Sequence, residues 1–544
     1  MMTTSETSPD PEKLKERYRR ARERRQPWEG HWRDCYEHAL PQREAAIMDT
    51  APGVRKGTRL YDGTATDAVD QLAASLLSEL TPPWDQWFDF KPGREAPEEA
   101  HPQMSQILGN AAAVLQGHFD RSNFAVEMHQ CYLDLVTAGT ACLMFEEAPA
   151  GEPTAFRFTA VPLSEVVFEE SLGGKLDTTF RRSELTVAQF RERYPEARLT
   201  ESEGEETESN EKIAVIEAVY PARRGYEYVA IREGGEGEAA ETQMLRTGTF
   251  RSSPFINFRW VKAPGEIYGR SPVMKALPDI KTANKVVELI LKNASIAVTG
   301  IWQADDDGVL NPATIKLEPG TIIPKAVGSA GLTPLRPAND MTLSTDVLEQ
   351  MRGRIRHALM IDMLGQSDRP DMTATEVLER SMEMARLLGA TYGRLQSELL
   401  TPLAVRAVGI LQRRGEIGRF EIDGRIVEMI YTSPLARHRR QREAGMVRDW
   451  ITTVTAMGPE AQQLLNPLKA SRYLAGAFGV PEDILRTEAE LAEVPEDLPQ
   501  VPGLGANGDI LGAIGDALSG AVPIAGVTDT DTDEVVATET AHVQ

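Results

Sequence analysis

The sequence predicts an α+β, multidomain protein, and three observations carry that prediction. Apolar residues recur at helical spacing over residues 12–138 and again after residue 278. From 140 to 261 the period changes to the two-residue alternation of strands. Between Tyr268 and Arg413 come one helical pattern, a strand-and-turn insert, a second helical pattern and a much longer one. No catalytic motif accompanies them. A helix pair split by a non-helical insert cannot bury two faces within one compact subunit, so it reads as one stave of a ring.

Taken in order, residues 12–40 form a charged helix in which Tyr18, Trp28, Trp32 and Tyr36 recur near helical spacing, ended by Pro41. A short extended piece is expected at 58–61. Asp62-Gly63 then opens an amphipathic helix with Ala65, Val69, Leu72, Leu76 and Leu80 on one face, stopped by Pro82-Pro83. Residues 84–90 alternate like a strand. Helices are expected at about 100–119 and 123–138, and strands at 141–145, 155–161, 166–168, 213–220, 226–232 and 255–261. The acidic stretches 201–211 and 233–241 cannot bury apolar area and read as solvated tips. Pro264-Gly265 turns the chain into the central region.

Pro278 is tolerable at a helix start, and Ile280, Ala283, Val287, Ile290, Leu291 and Ala294 then mark one helical face to about residue 298. Residues 299–342 are a small strand-bearing insert. Ser344 caps the next helix, whose stripe is Val347, Leu348, Met351, Ile355, Ala358 and Leu359. Residues 365–371 interrupt it, and 373–413 form a long helix that Pro402 kinks. A hairpin at 419–431 turns on Asp423-Gly424. Ser433-Pro434 starts further helices, to about 457, at 460–478 and at 482–491. The remainder, rich in Gly, Pro, Thr and Asp, reads as flexible.

Composition bounds the function. Hydrophobic residues make up 41% and charged residues 26% of 544, ordinary values for a soluble protein. No run of about eighteen apolar residues spans a bilayer, and no apolar leader opens the chain, so no membrane partner is expected. Cys35, Cys131 and Cys142 sit far apart with no CxxC, and Cys131 and Cys142, in apolar surroundings, read as buried thiols of a reducing compartment, which fits cytoplasmic assembly. A net charge of −23 argues against a simple DNA-binding protein. It supplies either solubility or a surface that DNA passes without sticking.

Several clusters invite a chemical reading. Asp305-Asp306-Asp307-Gly308 has no Glu or His at ligand spacing and reads as a turn rather than a metal site. Gly53-Val-Arg-Lys-Gly57-Thr58 lacks the ending of a phosphate loop. Arg352 and Arg356, four apart, share a helix face, while Arg354 points elsewhere. They either contact DNA or pair with Glu288 and other carboxylates of a neighbour. Arg437, Arg439, Arg440 and Arg442 oppose the dipole of their helix, which suggests an anionic partner: DNA or a neighbouring subunit's acids. The basic run from Arg17 to Arg25 alternates with Glu16 and Glu23 as a solvated face, and Trp84, Trp87 and Phe88 read as core.

Read together, several segments resemble the head-to-tail connector (portal) proteins of podovirus-type bacteriophages. They are Asp62-Gly63 before its Ala-rich helix, Thr81-Pro-Pro-Trp84-Asp-Gln-Trp87-Phe88, Gly139-Thr140-Ala141, Tyr268-Gly-Arg-Ser-Pro272 through Ile280, and Met372-Thr-Ala-Thr-Glu376. The resemblance covers about residues 10–490. It implies a portal-like subunit with an α/β wing (1–270), a two-helix stem (271–298 and 343–364) and a strand-bearing clip (299–342). A tunnel loop (365–372), a long kinked helix with a wing hairpin (373–432), an α-helical crown (433–494) and a flexible tail (495–544) would follow. Twelve copies would form a ring at a capsid vertex of the virion, assembled in the bacterial cytoplasm. Arg352, Arg354, Arg356, Asp368, Arg369 and Asp371 would face DNA. Asp305, Asp306, Asp307 and Lys316 would dock terminase and tail adaptors, with capsid and scaffold proteins as further partners. Neither cofactor nor metal nor catalysis is implied. The alternatives are a DNA-packaging enzyme, which would need a phosphate loop or metal-spaced carboxylates, and an acidic tail or scaffolding protein.

Overall fold

A computed structural model describes residues 10–46, 57–83, 85–97, 100–149, 151–197, 212–233, 242–299, 302–303, 327, 333–334, 341–361, 389–432, 434–458, 461 and 464–478. The chain divides into two compact units, 1–480 and 481–544, and every described residue lies in the first.

Helix α1 (Pro11–Ala39) is capped by the Asp10 carboxylate and serves two cores at once. Its N-terminal half, Leu14, Tyr18 and Ala21, packs on Val167, Phe180, Ile216, Val229 and Ile231. Its C-terminal half, from Trp32 to Ala39, enters the main core with α2 (Thr64–Leu80), α3 (His101–Arg121) and α4 (Phe124–Ala138). All five α2 residues predicted for the apolar face are buried.

The strands form two main antiparallel sheets. One is three-stranded, in the order β3 (Phe156–Val161), β2 (Thr140–Glu147), β9 (Phe255–Arg259). The other runs β4 (Val166–Glu169), β5 (Thr178–Thr186), β6 (Lys212–Ala222), β7 (Gly225–Arg232), β8 (Gln243–Phe250). This second sheet is covered on both faces. Ile216 and Ala218 meet α1, while Ile213 and Val215 meet Val187 and Phe190 of α5 (Val187–Arg193). Alternation along β6 sends successive side chains to opposite faces, which is why a continuous apolar run works there. Strand β5, strand β8 and α5 are additions to the sequence expectation. Arg181, Arg182 and Glu184 interrupt the β5 pattern because they form ion pairs at the sheet surface.

Several expectations are corrected. Residues 58–59 form a turn, and the strand near Trp87 is β1 (Phe88–Pro92). The predicted hairpin at 419–431 does not form: β12 (Val427–Tyr431) pairs with β1, Phe88 opposite Tyr431. The turn itself is real, since Asp423 Oδ1 accepts the N–H groups of Arg425, Ile426 and Val427. Helix α6 (Pro272–Thr299) starts six residues before Pro278, which lies inside it. Ser271 Oγ accepts the Met274 N–H, so Ser271-Pro272 supplies the cap and first-position proline. Helix α7 (Met341–Ala358) already contains Ser344, and it stops short of residue 364 at a turn where Met360 has φ 59°. Within the insert, β10 (Trp302–Gln303) pairs with β11 (Thr333–Pro334).

The long helix is described from residue 389 as α8 (Gly389–Leu395), a π-turn (Gln396–Leu400) and α9 (Thr401–Arg414). The irregularity expected at Pro402 is therefore a wide turn just before it, where the proline ring crowds the carbonyl one turn back. Helix α10 (Pro434–Ala456) starts at the predicted proline. Within the expected helix 460–478, residue 461 is helical, residue 464 is a turn, and α11 (Pro467–Phe478) follows behind Asn466, whose Oδ1 accepts the Lys469 N–H.

Candidate functional site

Two of the segments that stood out in the sequence, Gly139-Thr140-Ala141 and Tyr268-Gly-Arg-Ser-Pro272, meet at the start of α6. Gly139 closes α4 with φ 79°, and a Cβ there would lie 2.5 Å from the Gly269 carbonyl oxygen. Gly269 in turn faces the Gly139 carbonyl, and its N–H donates to Thr140 Oγ1 at 2.8 Å. Two backbones thus cross with no room for a side chain. Trp260 N–H donates to the Gly139 carbonyl and Ser271 Oγ to the Thr137 carbonyl. Tyr268 stands edge-on to Trp32, whose Nε1 donates to the Ala138 carbonyl. Trp87 and Phe88 pack into the same core among Phe119 and Phe124.

Asp62 makes the second junction. Asn284 of α6 accepts the backbone N–H groups of Tyr61 and Asp62 and donates to the Arg59 carbonyl. The Asp62 carboxylate takes the Thr64 N–H at 3.0 Å and the Arg352 guanidinium of α7 at 2.8 Å. Burial pushes this carboxyl up, but the hydrogen bonds from Thr64 and Arg352 outweigh it and hold the group below its ordinary value. Arg354 pairs with Asp279 of α6 at 3.1 Å, and Arg356 with Glu349 of its own helix at 2.7 Å. Glu288 lies between Lys285 and Lys292, which lower its pKa to about 2. Arg354 keeps 68% of its side chain exposed, against 34% for Arg352.

Charge also sits where the sequence reading did not look. Arg259, fully buried on β9, donates to both Glu398 oxygens in the π-turn, to Glu170 and to the Ile267 and Gly174 carbonyls. Arg406 of α9 donates to the carbonyls of Phe145 and Ser252, and burial lowers its pKa to about 10. These two guanidiniums fasten the long helix to the three-stranded sheet. The signal was present: an arginine inside each of the apolar runs Phe255-Ile-Asn-Phe-Arg259 and Leu403-Ala-Val-Arg406-Ala-Val.

The sequence signature of the family described as bacteriophage head to tail connecting protein matches residues 11–485. The chain belongs to that family. A Bordetella phage BPP-1 protein named "Probable portal protein" is 25% identical over 498 residues, 87% of this chain and 88% of that one. The Escherichia phage T7 protein named "Portal protein" is 22% identical over 487 residues, again 87% of this chain and 88% of its own. Among solved structures, a chain from the neck of a native gene transfer agent particle aligns with TM-score 0.35 and 14% identity, over 77% of this chain and 91% of that one.

In this head to tail connecting protein four of the resemblance-bearing segments are packing junctions, while Trp84 and Met372-Thr-Ala-Thr-Glu376 lie outside the described residues. Other predicted positions lie beyond the described residues: Asp305, Asp306, Asp307, Lys316, Asp368, Arg369 and Asp371. Arg437, Arg439, Arg440 and Arg442 fall in α10, and their side chains are not among those described. The three thiols are buried, with Cys35 pushed up to about 12 by burial first and then Asp34. Among the described residues no group of three His, Cys, Asp or Glu side chains could hold a metal ion, and no helix is long and apolar enough to cross a membrane.

Proposed function

We propose that this connecting protein works as the portal of a tailed phage: a ring of copies, twelve by the resemblance, through which DNA enters and leaves the head. The family match from residue 11 to 485 is the observation that carries the reading. In this assignment α6 and α7 are the stem and the insert holding β10 and β11 is the clip. Residues 365–371 are the tunnel loop, the two large sheets with α1 to α5 are the wing, and α10 and α11 open the crown. The clip, with Asp305, Asp306, Asp307 and Lys316, would receive terminase during packaging and tail adaptors afterwards. Capsid and scaffold proteins would meet the wing during assembly in the host cytoplasm.

The stem pairs divide the labour among its arginines. Arg352, anchored to a buried carboxylate, serves as a strut between α7 and α2. Arg354 and Arg356 hold exposed ion pairs of a kind worth roughly 0–1 kcal/mol each, so DNA phosphates can compete for them. A channel in a chain of net charge −23 with a few such cations would hold DNA briefly and let it slide. The work is mechanical, and no residue is assigned a catalytic role.

Size-exclusion chromatography with negative-stain imaging of the purified full chain tests the reading. Rings with a central hole are expected, and a cooperative, folded monomer at high concentration would overturn it. Charge reversal at Arg369 and Asp371 should leave rings intact and impair DNA retention. Loss of rings in those variants would refute the tunnel-loop assignment.

A further inference from the structure

Helix α10 carries an apolar arc wider than its own subunit covers. Ala444 and Val454 are buried, whereas Met446, Trp450 and Met457 are 58%, 49% and 71% exposed. Their spacing of four and seven residues keeps these three within about 40° of one another on a helix turning ~100° per residue. The stripe adjoins Val454, so the covered and uncovered arcs are continuous. Arg448, Asp449 and Thr452 take the remaining face, and the small polar Thr453 borders the stripe. At about 200 Å² for each fully exposed side chain, the stripe presents roughly 350 Å² of apolar surface.

That figure and the chain's charge select the occupant. Patches of about 300–600 Å² are often functional on a monomer, so the stripe exceeds scattered single exposure. It remains well below the ~800 Å² per side with which a separate partner is usually held. It therefore fits one section of a larger, repeated contact. Copies of a chain with net charge −23 repel one another, and a stripe that no charged residue interrupts lets them meet without adding to that repulsion. We infer that the stripe formed by Met446 and Trp450 of α10 and by Met457, just past its end, is covered by a neighbouring copy of this chain. The inference rests on the ring reading above and gives it a specific contact.

Cysteine reactivity in the full-length assembly tests it. Met457→Cys and Asp449→Cys are compared, because Met457 and the Asp449 side chain are each 71% exposed in the isolated subunit. The native thiols Cys35, Cys131 and Cys142 are buried and leave a low background. In nuclease-treated rings, maleimide should modify Met457→Cys at least about tenfold more slowly than Asp449→Cys. A difference under about threefold overturns the inference. So does protection that persists in unassembled chain, or that appears only when duplex DNA is added. Trp450→Glu should abolish rings while Trp450→Phe retains them, and intact rings of Trp450→Glu would also overturn it. Wild-type chain that forms no rings refutes the portal reading itself. Rings with a reactive Met457→Cys refute this contact alone.

Discussion

Asp62 is a residue on which three helices converge: it precedes α2, its backbone is held by Asn284 of α6, and its carboxylate holds Arg352 of α7. Asp62→Asn should lower stability by about 1–3 kcal/mol at neutral pH, because a nearly buried charged acceptor is lost. Since its carboxyl sits below the ordinary 3.8, its contribution is fully present at neutral pH. It is lost as pH falls from about 3.8 through the folded-state value. Urea midpoints of wild type and variant should therefore converge in acid. A constant gap down to the lowest measurable pH would refute the assignment. The crossing backbones give a second residue-scale expectation. Gly139→Ala forces a Cβ against the Gly269 carbonyl at positive φ and should destabilise by ~2–4 kcal/mol. Gly409→Ala, in α9 with nothing within 4 Å, should be neutral or stabilise by up to ~1 kcal/mol. Thermal melts of the two variants should move in opposite directions or differ by several degrees. The sequence marked Gly139 and Gly269 through their motifs, but not that they face each other, because that contact spans 130 residues.

At the scale of elements, the long helix is held by charge buried in an apolar setting. Glu398→Ala would strand the Arg259 guanidinium, which is fully buried, with one remaining carboxylate, Glu170. Losing a partner of that kind costs about 3–5 kcal/mol. Hydrogen exchange should then rise first in 389–400, ahead of the sheets, and uniform acceleration would refute a local role. Legibility followed periodicity. Helix α2 was plain because five apolar residues at helical spacing all turned inward. Strand β5 was hidden because charges at its sheet surface broke the alternation. The β12 pairing was hidden for a different reason: Asp423-Gly424 makes a true turn, yet the strand it delivers has its partner in β1, far upstream, and a non-local partner leaves no local trace. The starts of α6 and α7 were displaced because Pro278 and Ser344, which read as helix starts, lie inside helices that begin at Pro272 and Met341.

For the whole molecule, family membership was readable from short segments in a fixed order, and the four that lie among the described residues proved to be packing junctions rather than chemical groups. The charge of −23 sets a whole-assembly expectation. Raising salt from about 10 mM to about 150 mM shortens the screening length from ~30 to ~8 Å, which relieves repulsion between copies. The ring fraction in sedimentation velocity should therefore increase, and a decrease would mean that ion pairs dominate the contacts. The pairing of Phe88 with Tyr431 also has a bearing on birth order. The two partners are separated by about 340 residues, which a ribosome working at ~5–20 residues per second takes roughly 17–70 seconds to make. Until Tyr431 emerges, β1 lacks its mate, so closure of this two-stranded sheet is among the late events of synthesis. An open strand edge is a template for pairing with another chain, and the delay leaves β1 exposed to that hazard for as long as it lasts.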